Sequence, residues 1–503
     1  MLFNSYTFVF VFLPLTLLVF WLLAARAPRR VAIVWLIVAS IFFYGWFRYE
    51  NLLLLGVLLV LNYAAGVYLG RYSGARRAKA VLVLGIVMNL GTLGYFKYAN
   101  FFLDAVNRLF PTGWSPAAIV LPLGISFFIF QKIAYLVDAY RGKARGYSFI
   151  DYCLFVTFFP QLIAGPIVHH AEVVPQFSGR NYRPSAEDFS VGLTQFFCGL
   201  FKKVLLADRL ALFATPIFES AAGGGSPGFL DAWIAALAYT FQLYFDFSGY
   251  SDMALGLGRL FGIKLPQNFD SPYKAVNITE FWRCWHMTLS RFLRDYLYIP
   301  LGGNRKGPAR RYVNLMLTML IGGLWHGAGW NFVVWGGLHG IYLAVHHGWR
   351  AWRDRAVAAT GSSGGNLGTI AARALTFLAV VLAWIFFRAS NTETAGRMLK
   401  AMFGGNGFGF HSTVALSSAL IALGVAGVIV WGLPNTQEWL ARFHPALGFP
   451  PPETSAAPRR AIPSWLARLA WQPHPLWAAL LAALAVFTFT QMSKISEFIY
   501  WQF

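Results

Sequence analysis

The chain of 503 residues is 57% hydrophobic and 17% aromatic but only 12% charged, about half the charged share of an ordinary soluble domain. This excludes a soluble globular enzyme, a disordered chain and a coiled coil, and indicates an all-α protein that crosses a bilayer several times. The 41 Lys and Arg against 20 Asp and Glu leave a net charge of +21, which reads as basic loops kept in the cytoplasm rather than as a nucleic-acid surface; Cys153, Cys198 and Cys284 are too few and scattered for a disulfide framework or a zinc site.

Residues 7–25 form the first apolar run. No basic residue precedes it, whereas Arg26, Arg29 and Arg30 follow. A cleavable signal has the opposite polarity, so the run is expected to stay as a span with its N-terminus outside. Spans near 31–48 and 51–70 come next, then a basic loop with Arg71, Arg76, Arg77 and Lys79. Further apolar stretches lie near 80–95, 119–139, 190–217, 229–247, 312–346, 370–387, 413–433 and 475–491. Roughly ten to twelve membrane-embedded helices are predicted, some of them short or re-entrant. No strong internal repeat appears, which weighs against most inverted-repeat transporters.

Polar residues gather in the middle of the chain. Gln131, Tyr135 and Asp138 recur at helical spacing on one side of 121–140. Pro160 and Pro166 in FFPQLIAGPIVHH (158–170) predict a broken or re-entrant helix. The pairs His169–His170 and His346–His347 flank spans and are expected at the membrane interface. Between Gln242 and Asp252, seven polar residues are expected to interrupt the span that begins near 229. Several embedded polar segments together imply a shared cavity.

The segment 264–311 carries nine basic and three acidic residues and no 18-residue apolar run. It is too aromatic for a free loop, so an amphipathic or re-entrant segment at the cytoplasmic side is predicted. Asn277 and Glu280 read as a helix cap and its partner three residues on. From there Arg283, His286, Ser290 and Arg294 recur at spacings of three and four, as one polar stripe. That stripe is either an interfacial face with snorkelling arginines or a basic wall for a phosphate-bearing ligand.

The second gathering is IGGLWHGAGWN (321–331), inside an otherwise apolar stretch. A histidine at membrane depth, His326, is seldom there for packing alone; it either hydrogen-bonds between helices or works in a site, and Gly322, Gly323, Gly327 and Gly329 allow backbones or a ligand to come close. No metal is expected: there is no HExxH motif and no acidic residue between Asp295 and Asp354, and on one ideal helix His326 and His339 fall about 140° apart. Residues 354–368 read as a flexible loop. Residues 443–475 form a Pro-rich connection with an interfacial helix expected at Trp465–Trp471. The aromatic end, 498–503, reads as an interface anchor, or as a tail that docks a partner or closes the core.

Five runs carry a resemblance: SFFIFQKIAYLVDAYRG (126–142), FFPQLIAGPIV (158–168), YTFQLYFDFSGYSDMALGLG (239–258), EFWRCWHMTLSRFLRDYLYIPLGGNR (280–305) and GGLWHGAGWNFVVWGGLHG (322–340). In order and over nearly the whole length, the sequence resembles the membrane-bound O-acyltransferase family, and within it the bacterial alginate O-acetyltransferase branch. The resemblance implies a single membrane-embedded domain over 1–503, with residues 120–346 as catalytic core around a central cavity or tunnel. It implies a multi-pass protein of the bacterial inner membrane. It maps the family's nearly invariant histidine onto His326 and its second motif histidine onto His286. It implies acetyl-CoA as cytoplasmic donor, an exported polysaccharide as final acceptor, periplasmic acetyltransferases as partners, and no bound cofactor. One departure is Cys284, where the branch usually has arginine.

Acyl transfer from a thioester needs a base for the incoming hydroxyl and stabilisation of the oxyanion. His326 is expected as base or transient acyl carrier, with His286 orienting donor or nucleophile. Arg283, Arg291, Arg294, Arg305 and Lys306 are the candidates for the donor's phosphates, and Asn331 for holding the oxyanion or His326. The acceptor alternatives are alginate, cellulose, another exopolysaccharide, or D-alanylated teichoic acid. A transporter whose polar residues line a path is the reading from a different class.

Overall fold

The computed structural model describes residues 1–110, 112–144, 146–178, 185–360, 366–449, 470–492 and 498–499. Among them every regular element is helical; one isolated bridge pairs Pro266 with Leu447. A π-helical turn at Phe8–Phe12 leads into α1 (Leu13–Arg26), followed by α2 (Arg29–Gly45) and α3 (Glu50–Arg71). Next, α4 (Arg76–Leu93) and α5 (Ala99–Leu109) are joined without a break by a second π turn, Gly94–Tyr98. Four helices among the described residues are long and apolar enough to cross a membrane: Phe8–Arg26, Glu50–Arg71, Arg76–Leu109 and Gly368–Arg388. Leu416–Gly432 and Pro475–Gln491 are shorter apolar helices. Outward Phe10, Leu18, Leu53 and Leu84 are exposed, as residues facing lipid rather than water can be.

The central elements are buried instead. They are α6 (Ile125–Tyr140), α7 (Phe149–Thr157), the single turn α8 (Phe159–Leu162), α9 (His170–Ser178), α10 (Ala186–Phe201), α11 (Asp208–Ala222) and α12 (Phe229–Leu260). The proline-bearing stretch 158–170 is broken, as predicted, between α7, α8 and α9. The run Gln242–Asp252 does not interrupt its helix. It stays within α12, which is buried on all sides along most of its length, because its charges find partners. Asp252 accepts from Lys202 Nζ at 2.6 Å, Thr436 Oγ1 at 2.7 Å and Gln437 Nε2 at 2.6 Å. Asp246 pairs with Lys203 at 2.7 Å and accepts from the Ile499 backbone at 3.0 Å. Buried charges persist when paired and hydrogen-bonded in this way.

Helices α10 and α12 meet along a glycine seam. A Cβ at Gly199 would lie 2.4 Å from Gly249 O, and one at Gly256 would lie 2.5 Å from Gly192 O. The seven-residue spacing on each helix puts both glycines on one face, so the backbones touch.

The remaining elements are α13 (Ile278–Cys284), α14 (Met287–Leu293), α15 (Gly307–His326), α16 (Trp330–Thr360), α17 (Asn366–Arg388), α18 (Thr392–Met402), α19 (Leu416–Gly427), α20 (Thr436–Trp439) and α21 (Pro475–Gln491). The stretch read as one segment over 312–346 is a hairpin, broken between His326 and Trp330. Its glycines serve backbone contact: Cβ atoms at Gly323 and Gly336 would fall 2.3 Å from Phe332 O and Met319 O. The loop expected at 354–368 is helical to Thr360 and again from Asn366; residues 361–365 lie outside the described residues. So does most of the helix expected at Trp465–Trp471, although Trp471 itself is buried against Phe443 at 5.0 Å. Of the aromatic tail, Phe498 and Ile499 are described, and both are buried.

Candidate active site

The site grows from a break in the helix that the polar stripe was expected to follow. Asn277 caps α13 as its spacing predicts: Oδ1 accepts from Glu280 N at 2.9 Å, and Glu280 Oε2 accepts from Val276 N at 3.0 Å. The helix then ends at Trp285. His286 takes φ +42°, and α14 begins at Met287. Two backbone bonds fix the break: Asp270 N donates to Cys284 O and Met287 N to Asn268 O, both at 2.9 Å. Residues 268–270 thus pair with the chain on both sides of His286. No single stripe forms. Arg283 and Arg294 face outward, whereas His286 is turned inward and fully buried.

Asn268 settles the proton on His286. Its Oδ1 accepts from Thr288 N at 3.3 Å and Thr288 Oγ1 at 2.9 Å, and lies 3.1 Å from His286 Nδ1. A backbone N–H can only donate, so the atom is the amide oxygen. His286 Nδ1 therefore carries the proton, and Nε2 is the basic nitrogen. Phe247 lies 4.8 Å from the imidazole, ring to ring, and Trp325 6.1 Å.

His326 is the last residue of α15, buried among Trp325, Trp335 and Phe387 with ring centroids 4.9, 5.0 and 5.1 Å away. Helix ends leave carbonyls without intrahelical partners. Here the π turn Gly94–Tyr98 supplies them. Lys97 Nζ donates to Trp325 O at 2.6 Å and His326 O at 3.1 Å, with Ser126 Oγ at 3.5 Å. Tyr98 OH donates to Leu324 O at 2.6 Å. A cavity of about 80 Å³ lies beside them, lined by Lys97, Leu123, Gly124, Ser126, Phe127 and His326 among others.

A second cavity, of about 240 Å³, lies towards the other end of α6, lined by Ala134, His169, Thr288, Arg291, Phe292 and Tyr296 among others. A helix of this length spans about 24 Å. Phe130 stands between the two linings: it stacks on Phe292 at 4.1 Å and on Trp325 at 5.2 Å. Thr288 of the second cavity connects through Asn268 to His286, so an imidazole adjoins the aromatic wall from that side.

Next to the second cavity, Asp138 Oδ2 receives Tyr296 OH at 2.6 Å, His169 Nε2 at 2.5 Å and His170 Nε2 at 3.2 Å. Three potential ligand atoms lie within 4.8 Å of one another. However, His169 Nδ1 accepts from Ala171 N at 3.3 Å. That places the ring proton on Nε2, the atom a metal would need, so the cluster reads as a hydrogen-bond hub. His170 is buried there, not at an interface as expected.

The residues expected to bind a donor separate into three groups. Arg291 lines the second cavity and makes a two-pronged ion pair with Glu172. Arg294 pairs with Asp295 at 2.7 Å and, like Arg283, Arg305 and Lys306, is exposed outside both cavity linings. Asn331 is buried, and its Nδ2 donates to Phe386 O at 3.2 Å and Ala389 O at 2.8 Å. That amide clips α16 to the end of α17 rather than serving His326.

Sequence reasoning missed Lys97, Asn268 and Phe130. Lys97 had a signal, a single cation within the apolar stretch TLGYFKYANFF. Asn268 and Phe130 had none, since their roles depend on contacts across the fold. His339 was set apart from His326 on the assumption of one continuous helix. The hairpin instead brings it into the same aromatic group, 4.8 Å from Trp335.

The membrane-bound O-acyltransferase family model matches residues 10–387. The chain is 46% identical to the peptidoglycan O-acetyltransferase of Helicobacter pylori, over 81% of this chain and 80% of that one. It is 41% identical to a probable alginate O-acetylase of Pseudomonas putida over the full length of both. Similarity extends to the teichoic acid D-alanyltransferase of Streptococcus thermophilus, 29% identical over 45% of this chain and 57% of that one. With apolar helices suited to a bilayer and a buried imidazole facing a cavity, these matches lead to one conclusion: the chain is a membrane O-acyltransferase and belongs to the membrane-bound O-acyltransferase family.

Proposed function

We propose that the protein moves acetyl from acetyl-CoA on the cytoplasmic side of the bacterial inner membrane to an exported polysaccharide, with periplasmic acetyltransferases as partners. The observation that carries this reading is the pair of cavities towards opposite ends of α6, one reaching His326 and the other reaching His286 through Thr288 and Asn268. Donor and acceptor then approach one transfer point from two sides, and only the acyl group passes between them. Arg291, on the second cavity, is the donor-side cation, and its ion pair with Glu172 gives way to a phosphate. The relatives named for O-acetylation of alginate and of peptidoglycan support acetyl as the acyl group and a glycan as acceptor. Alginate is the leading choice because that relative matches over the full length.

The test is His326→Ala, assayed both for polymer acetylation in cells and for release of CoA by the purified protein. Loss of a general base or acyl carrier should lower turnover by about a thousandfold or more, with the amount of membrane protein unchanged. Substantial acetylation by a well-expressed variant would remove His326 from the chemistry.

A further inference from the structure

We propose that Lys97 is the cation that stabilises the negative charge on the acyl carbonyl oxygen during transfer at His326. The assignment rests on His326 as the transfer residue.

A lysine inside the helical run Arg76–Leu109, here half-buried, is costly to hold in a membrane segment, and such residues persist where their charge is used. Among the described residues Lys97 makes no ion pair. Its partners are the carbonyls of Trp325 and His326 and the hydroxyl of Ser126. No carboxylate cancels the ammonium, so its field reaches the cavity it shares with His326. Two short bonds to the end of α15 hold the ammonium in place. The third, at 3.5 Å to Ser126 Oγ, is the weakest, and that N–H is the one able to turn to a substrate oxygen. The first turn of α6, entered through Gly124 at φ +69°, lines the same cavity and adds the positive end of a helix dipole. A cation held in place beside a buried imidazole is the arrangement that stabilises an oxyanion.

The acceptor hydroxyl oxygen bonds to the acyl carbon as its proton passes to His326. The carbonyl π pair moves onto oxygen, facing Lys97. On collapse that pair re-forms the carbonyl, the carbon–sulfur bond breaks, and the departing sulfur takes the bonding pair and a proton from His326.

The experiment uses full-length protein in detergent micelles with acetyl-CoA, measuring CoA release and thermal unfolding for Lys97→Met, Lys97→Gln, Lys97→Arg, Tyr98→Phe and His326→Ala. Lys97→Met and Lys97→Gln should lower kcat by about a hundredfold, with KM changed less than about twofold. Lys97→Arg should recover at least about a tenth of wild-type turnover because it keeps the charge. Should Lys97→Met fail to fold, the Gln and Arg pair carries the comparison, since both keep hydrogen-bond donors for the α15 carbonyls. Lys97→Gln turning over within about threefold of wild type beside an inactive His326→Ala would overturn the inference. A loss in Tyr98→Phe equal to that in Lys97→Gln would also overturn it, because Tyr98 provides the clamp without the charge. An active His326→Ala variant would instead count against the transfer residue itself.

Discussion

His286 owes its position to a backbone angle that few side chains accept. At φ +42° an ordinary residue pays about 1–2 kcal/mol, asparagine less, and a β-branched residue more. The bonds from residues 268–270 impose that angle and aim the imidazole at Phe247 and Trp325. His286→Asn should therefore be more stable than His286→Val by about 1–2 kcal/mol and unfold at a higher midpoint, while both lose turnover. Equal midpoints would show that the break tolerates any residue. The two histidines were legible in the sequence because a polar residue in an apolar run is conspicuous. Asn268 was not, since an asparagine in a polar connection looks like any turn residue. Its importance comes from the single oxygen that receives three donors.

At the scale of elements, hydrophobic runs predicted the outer helices well but not the internal breaks. Residues 7–25, 31–48 and 51–70 are helices because lipid-facing sequence must satisfy its own backbone. The breaks at Trp285–His286 and Gly327–Gly329 follow from tertiary pairing, which periodicity cannot show. The glycines are a related case. Their presence hinted at close approach, and only the fold tells which neighbour approaches. Gly256→Leu should destabilise by about 3 kcal/mol or more, because its Cβ would meet the Gly192 carbonyl and the Phe196 backbone nitrogen, neither of which can swing aside. Gly91→Ala, with nothing near its Cβ, should stabilise α4 by about 0.5–1 kcal/mol. Thermal unfolding of the two variants side by side checks both signs.

Over the whole molecule, residues from the two ends of the sequence share one core. Phe3 stacks on Tyr250 at 4.8 Å, and Phe498 stacks on the same Tyr250 at 4.6 Å and lies 5.4 Å from Phe247, the neighbour of His286. Phe498 therefore closes the core rather than serving as an exposed anchor. Phe498→Ala should reduce polymer acetylation and CoA release together and cost about 3–5 kcal/mol of stability. A loss of polymer acetylation alone would instead make the tail a docking element. The sequence could not decide between these outcomes, because aromatic residues serve packing, interfaces and docking alike. The stacked rings of Phe292, Phe130 and Trp325 carry a further consequence. A protein that hands a group from one side of an energised membrane to the other must not become a leak. An acyl group can be handed over where donor and acceptor meet, whereas protons and ions need a continuous wet path, and the three packed rings stand between the two cavity linings. If transfer runs across the inner membrane as proposed, that packing lets the enzyme work there without discharging the membrane's gradient.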